Sequence, residues 1–195
     1  MLRRVAAWTA AVLVGLVLGG ASAWATLEIG RGNFGERYGA WSHSRATGST
    51  AAGPYTRAII ARDGLLALSA REALYFNLTQ DDQGAPLSEN CSYELTGRPL
   101  NTRWWSVTLY ADDSFLAQNE DHAASIDASH VSAGPDGRWR ARVSTVRGDA
   151  AYWLSSRNAR RDFSLTLRIY NPHRDFRASE ETLPALTRLS CLGEA

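Results

Sequence analysis

Five segments of the chain alternate apolar and polar side chains with period two, and this pattern limits the fold more than any other feature. Leu74, Phe76 and Leu78 alternate with Ala73, Tyr75, Asn77 and Thr79, and Cys91, Tyr93 and Leu95 with Ser92, Glu94 and Thr96. Trp105, Val107 and Leu109 alternate with Trp104, Ser106, Thr108 and Tyr110. Trp139, Ala141 and Val143 alternate with Arg138, Arg140 and Arg142. Phe163, Leu165, Leu167 and Ile169 alternate with Ser164, Thr166, Arg168 and Tyr170. Successive side chains of a strand point to opposite faces, so each segment can bury one face and wet the other. Asp81-Asp82-Gln83-Gly84 and Gly134-Pro135-Asp136-Gly137 are turn signals between them. Strands with one apolar face belong in antiparallel sheets packed on a core. The expected fold is therefore mainly β: an antiparallel β-sandwich or jelly-roll-like domain with one or two short peripheral helices.

A different pattern occupies the N-terminus. Arg3 and Arg4 precede an uncharged stretch from Val5 to Leu27, densest in apolar residues between Ala10 and Leu18. As a helix it spans the ~30 Å of a bilayer's hydrocarbon, and the paired arginines favour a cytoplasmic N-terminus. The expected organisation is a cytoplasmic N-terminus (1–4), a transmembrane anchor or signal peptide (5–27), a spacer (28–53) and a β-rich domain (54–195). Ala21-Ser22-Ala23 and Ala23-Trp24-Ala25 offer small residues for signal cleavage, which would release the domain to the periplasm. The apolar run continues past both sites, so a retained single-pass anchor in the cytoplasmic membrane is expected. The domain then lies on the periplasmic or extracellular side. Residues 30–53 are rich in Gly, Ser, Thr and Ala and read as a spacer, with Trp41 placed to dock on the domain. Pro54 suits a first helical position, Tyr55, Ile59 and Ile60 share a helical face, and Gly64 is a stop signal.

Cys91 and Cys191 are the only two cysteines, an even count in an exported chain. A bridge between them is expected, and neither has the neighbouring base of a catalytic thiol. The 21 Lys+Arg residues are all arginine. Without lysine there is no Schiff-base chemistry and no Gly-rich phosphate loop ending in Lys. Net charge is +1, so no global field directs the chain to nucleic acid.

The strand segments also resemble the family called domain of unknown function 1214. The resemblance rests on Tyr75-Phe76-Asn77-Leu78-Thr79, on Asp82 to Leu87, and most closely on Trp105 to Leu116 followed by Ser125-Ile126. Tyr152-Trp153-Leu154 and Phe163 to Tyr170 complete it in order. It covers about residues 54–175 and implies a β-sandwich-like fold, but no reaction. Many members carry an upstream domain (domain of unknown function 1254), and here the hydrophobic segment and spacer stand in its place. Ser155 follows Trp153-Leu154 where the family often has proline.

Two constellations are candidate sites. Asp112, Asp113 and His122 lie in a polar loop that extends to Asp127 and His130, and could supply acid–base groups for an envelope hydrolase. No metal-ligand spacing is present, there is no Gly-x-Ser-x-Gly elbow, and no cofactor is expected. The second constellation is the polar side of the strands. If the strands are neighbours, Tyr75, Glu94, Trp104, Tyr110, Arg168 and Tyr170 share one surface with Asn77, Thr96, Thr108 and Thr166. Aromatic rings beside hydrogen-bonding groups suit a glycan, a lipid headgroup or a protein partner. A non-catalytic binding or structural module is the leading expectation. The arginine stripe Arg138, Arg140 and Arg142 reads as a charged outer face.

Overall fold

The computed structural model describes residues 2–33, 35–44, 47–49, 52–62, 68, 69 and 71–193. The expected stop at Gly64 lies outside these, as does the side chain of Ile59. Helix α1 (Leu2–Asn33) has 32 residues. Its Arg3–Leu27 portion has a mean hydropathy of 1.9 and none of it is buried, so by length and composition it can cross a membrane. The hydroxyls of Thr9 and Thr26 donate to the carbonyls of Val5 and Ser22, four residues earlier. Those polar groups are thus satisfied within the helix, as a lipid environment demands.

After α1 come β1 (Glu36–Tyr38), β2 (Trp41–His43) and the short helix α2 (Pro54–Arg62). The body then runs β3 (Ala73–Leu78), β4 (Cys91–Gly97), β5 (Thr102–Tyr110), β6 (Ser125–Asp127), β7 (Trp139–Ser144), β8 (Tyr152–Ser155), β9 (Ser164–Pro172) and β10 (Ala185–Cys191). The strands make two sheets, one of six in the order β1-β2-β3-β9-β5-β6 and one of four in the order β10-β4-β7-β8. The expected mainly-β sandwich is what folds, with all five alternating segments as strands.

The inner faces meet in one core. Phe76, Leu78, Val107, Leu109, Leu165, Leu167 and Ile169 of the large sheet oppose Tyr93, Leu95, Ala141, Val143 and Leu154 of the small one, all buried. Trp105 and Trp139 bridge the sheets with rings stacked 5.0 Å apart. Apart from Leu154, whose strand is outside the five alternating segments, these are residues that the period-two pattern assigns to the core; Ala73 and Tyr75, which it assigns to the polar side, are buried too. At about 25 cal/mol per Å² of apolar area removed from water, this layer is the main stabilising term.

Two local features depart from the simplest reading. Residues 36–43, inside the stretch read as spacer, form a hairpin that extends the large sheet, Ser42 pairing with Asn77. Trp41 is 2% exposed and donates its indole N–H to the Pro184 carbonyl at 2.5 Å, so it docks as its position suggested. Strands of three residues are too short to display a period. The small sheet, moreover, is mixed rather than purely antiparallel, because β7 and β8 run parallel. Parallel neighbours usually need a long crossover. Here Tyr152 pairs with Ala141, so residues 145–151 have only to run back about three residues, ~10 Å.

The disulfide Cys91–Cys191 joins β4 to β10, where the two residues are direct cross-strand partners.

Candidate functional site

Strand alternation builds the outer face of the six-stranded sheet from β3, β9 and β5. Tyr75, Arg168 and Ser106 form one transverse row, continued on β6 by Asp127. Asn77, Thr166 and Thr108 form the next row, and Tyr170 beside Trp104 a third. Tyr110 closes the end of β5.

Arg168 is the centre of this face. It donates from Nη1 to Thr108 Oγ1 at 3.2 Å and from Nη2 to the Tyr110 hydroxyl at 2.6 Å. Its guanidinium carbon lies 5.3 Å from the Tyr110 ring centroid and 6.0 Å from that of Tyr75. These distances allow cation–π attraction from both rings. The Tyr75 hydroxyl accepts from the Leu68 N–H at 2.9 Å, and Thr166 donates to Asn77 Oδ1 at 2.8 Å. Burial pushes the Tyr170 phenol above its usual pKa; Arg168 opposes this, while Tyr75 and Tyr110 add to it. Tyr170 therefore keeps its proton, and its capacity to donate, across the neutral range.

The aromatic edge of the face is Trp104, whose ring centroid is 5.2 Å from that of Tyr170. Its indole N–H donates to Ser129 Oγ at 3.0 Å. Ser129 belongs to a tight turn organised by Asp127, whose Oδ1 accepts the Ser129 N–H at 2.7 Å and whose Oδ2 lies 2.9 Å from His130 Nδ1. Burial alone would raise the Asp127 pKa; the hydrogen bonds from His130 and Ser129 outweigh it and hold the carboxyl below the usual range.

Five of the six expected ligand-binding residues, Tyr75, Trp104, Tyr110, Arg168 and Tyr170, thus share one face. Glu94 does not. It sits on β4 with Thr96, in the other sheet, where Arg140 Nε approaches Glu94 at 4.0 Å and also pairs with Asp136. Alternation tells which face a residue occupies, but it does not tell which sheet the strand joins. A groove of ≈ 460 Å³ opens on that second sheet between Arg98, Arg138, Glu180 and Glu181, away from the aromatic residues.

Among the described residues, no hydrogen bond or ion pair joins the expected acid–base residues Asp112, Asp113 and His122 to one another. Asp112 lies 3.7 Å from Arg160, and Asp113 Oδ1 accepts the Phe115 N–H of its own turn at 3.0 Å. His122 is exposed, has a left-handed backbone (φ 52) and bonds to neither acid among the described residues. The polar residues of this loop fasten it to the end of β8 and the segment after it. Asn119 donates to the Arg157 carbonyl, Asn158 to the Gln118 carbonyl, and Ser155 to Asp121 at 2.6 Å. The pair that does form, Asp127 with His130, arises from local turn geometry rather than strand periodicity. Its sequence signal was the i, i+3 spacing. Among the described residues, no group of three or more His, Cys, Asp or Glu converges as a metal site.

Residues 72–174, just over half of the chain, match the family described as protein of unknown function, DUF1214. The chain belongs to the DUF1214 family. The DUF1214 segment holds β3 to β9 and all five residues of the aromatic face, while α1, β1, β2, α2 and β10 lie outside it. The crystal structure of the VPA0106 protein from Vibrio parahaemolyticus is similar, with a TM-score of 0.56 and 22% identity over 72% of this chain and 36% of that one. An uncharacterised protein from Burkholderia cenocepacia is similar with a TM-score of 0.45 and 17% identity over 64% of this chain and 31% of that one. The chain spans about a third of the length of each of these. The likeness to the Vibrio protein is one of fold. No curated protein matches the sequence.

Proposed function

We propose that this DUF1214 protein is a non-catalytic binding module, held at the outer side of the cytoplasmic membrane by α1, that takes its ligand on the outer face of the six-stranded sheet. The observation that carries the reading is the convergence of Tyr75, Trp104, Tyr110, Arg168 and Tyr170 from three different strands around a central cation. Rings flanked by hydroxyls, an amide and a guanidinium match an amphipathic ligand such as a glycan or a lipid headgroup: apolar contact on one side, hydrogen bonds on the other. The face is also rigid, because its members lie on strands in the middle of the sheet. A partner held there loses little binding energy to ordering the protein.

The envelope hydrolase alternative needs Asp112, Asp113 and His122 to act together, and nothing in their geometry favours it. Retention of the full chain, with α1 already seated in phosphatidylcholine nanodiscs, on immobilised cell-wall glycan and on immobilised glycerophosphate headgroups tests the binding reading. Trp104→Ala with Tyr110→Ala should abolish whichever retention the wild type shows, with near-UV circular dichroism unchanged. Undiminished retention in the folded double variant would remove the face from consideration.

A further inference from the structure

We infer that the ligand of this face carries an oxyanion, a carboxylate or a phosphate, and that Arg168 is its counter-charge. The inference rests on the binding reading above and adds the chemistry of the group bound. Arg168 is half-buried, and every partner it has among the described residues is neutral: Thr108, Tyr110 and the rings of Tyr75 and Tyr110. None of the described carboxylates makes an ion pair with it. A partly desolvated cation ordinarily acquires a carboxylate, because losing hydration without Coulombic compensation is costly. Arg188, whose side chain is 19% exposed, follows that rule and pairs with Asp81; even the more exposed Arg140, Arg157 and Arg160 have Asp136, Asp121 and Asp112 beside them.

The row across the sheet shows why Arg168 has no acid beside it. Its neighbours in register are Tyr75 on one side and Ser106 on the other. The first carboxylate in that row, Asp127, stands two strands away, ~10 Å between backbones, and is committed to Ser129 and His130. What surrounds the guanidinium is a set of groups able to donate to an anion. Tyr110 accepts from Arg168 and so retains its own O–H for a ligand, and Tyr170 stays protonated at neutral pH. The two bonds to Thr108 and Tyr110 hold the guanidinium in place, which limits the rotamer entropy lost when an oxyanion meets it.

Calorimetric titration of the full-length chain in phosphatidylcholine nanodiscs tests this, with glucuronate, inorganic phosphate and methyl glucoside as probes at matched ionic strength. One or both anions should bind, methyl glucoside at least tenfold more weakly, and Arg168→Gln should lower anion affinity at least tenfold. Thr108→Val with Tyr110→Phe, which leaves the charge but removes its two anchors, should weaken anions more than methyl glucoside. It serves as the decisive variant if Arg168→Gln fails to fold. Replacing phosphatidylcholine by phosphatidylglycerol separates sources of the anion: competition with soluble phosphate that Arg168→Gln abolishes assigns the site to a lipid headgroup. Its absence alongside glucuronate or phosphate binding assigns it to a soluble ligand.

The inference is overturned if neither anion binds, or if anion affinity is unchanged in Arg168→Gln. Methyl glucoside binding as tightly as either anion, equally to wild type and Arg168→Gln but not to Trp104→Ala, would sink the anion claim and leave the binding face standing. Loss of every probe in the wild type would end both.

Discussion

Gly97 has no side chain because Trp139 already occupies the space one would need. A Cβ built there would lie 2.3 Å from Cζ2 of the indole and 2.6 Å from Cε2. The ring has nowhere to go: it is 2% exposed, stacked on Trp105, and donates its N–H to the Arg98 carbonyl at 3.2 Å. Gly97→Ala should therefore destabilise the domain by about 1–3 kcal/mol, the usual cost of overpacking a filled core, read as a lower urea midpoint at unchanged slope. Trp139→Phe should recover part of that loss in the double variant, because the smaller ring vacates the contested volume. Strict additivity of the two changes would show that the clash is not the cause. At this scale the sequence is partly legible. The parity of Tyr75, Trp104, Tyr110, Arg168 and Tyr170 within their strands put them on the polar side, and they do meet. The same parity placed Glu94 with them, although its strand belongs to the opposite sheet. The turn in which Asp127 holds Ser129 and His130 follows from local hydrogen bonding, to which a period-two pattern is blind.

The elements that alternation did not reveal are those whose stability comes from elsewhere. β1, β2 and β6 have three residues each and β8 has four, so they exist because longer neighbours template them. β10 has seven residues but only Leu186 is fully buried, which leaves almost no apolar rhythm to read. It lies at the edge of the small sheet with Leu189 exposed, and its ladder with β4 and the Arg188 contacts with Asp81 and Asp82 are reinforced by the bridge from Cys191 to Cys91 across 100 residues of sequence. The loop-entropy argument assigns such a bridge roughly 4–5 kcal/mol through the unfolded state. Replacing both cysteines by serine should lower unfolding free energy by about 2–5 kcal/mol. In hydrogen exchange on that variant, the amides of β10 should exchange well before those of β7, its neighbour one strand further in. Uniform protection across β10, β4 and β7 without the bridge would mean that the strand is held by its ladder alone.

For the whole molecule the question is where α1 leaves the domain. Only residues 34 and 35 separate its last residue, Asn33, from β1, and β1 is paired through β2 to the body of the large sheet. The residues of α1 beyond Leu27 add only about one and a half turns, ~9 Å, before the sheet begins. If α1 spans a bilayer, the sandwich has no long tether. It sits against the surface, with the strand that carries Arg168 three places from the tethered edge, ~15 Å across the ladder. Two independent features support the proposed outer side. Arg3 and Arg4 favour a cytoplasmic N-terminus, and a disulfide between β4 and β10 is stable only in an oxidising compartment. The expected result is that the chain sediments with membranes and resists carbonate extraction with an intact mass that begins at Met1. Protease added to spheroplasts should digest the domain, while Cys91 and Cys191 should resist alkylation until a reductant is added. A mass beginning after Ala23 or Ala25, with the protein free in the periplasmic fraction, would replace the anchor by a cleaved leader and free the Arg168 face from the bilayer. Protection from external protease, with both thiols alkylated at once, would place the domain on the wrong side of the membrane for this account.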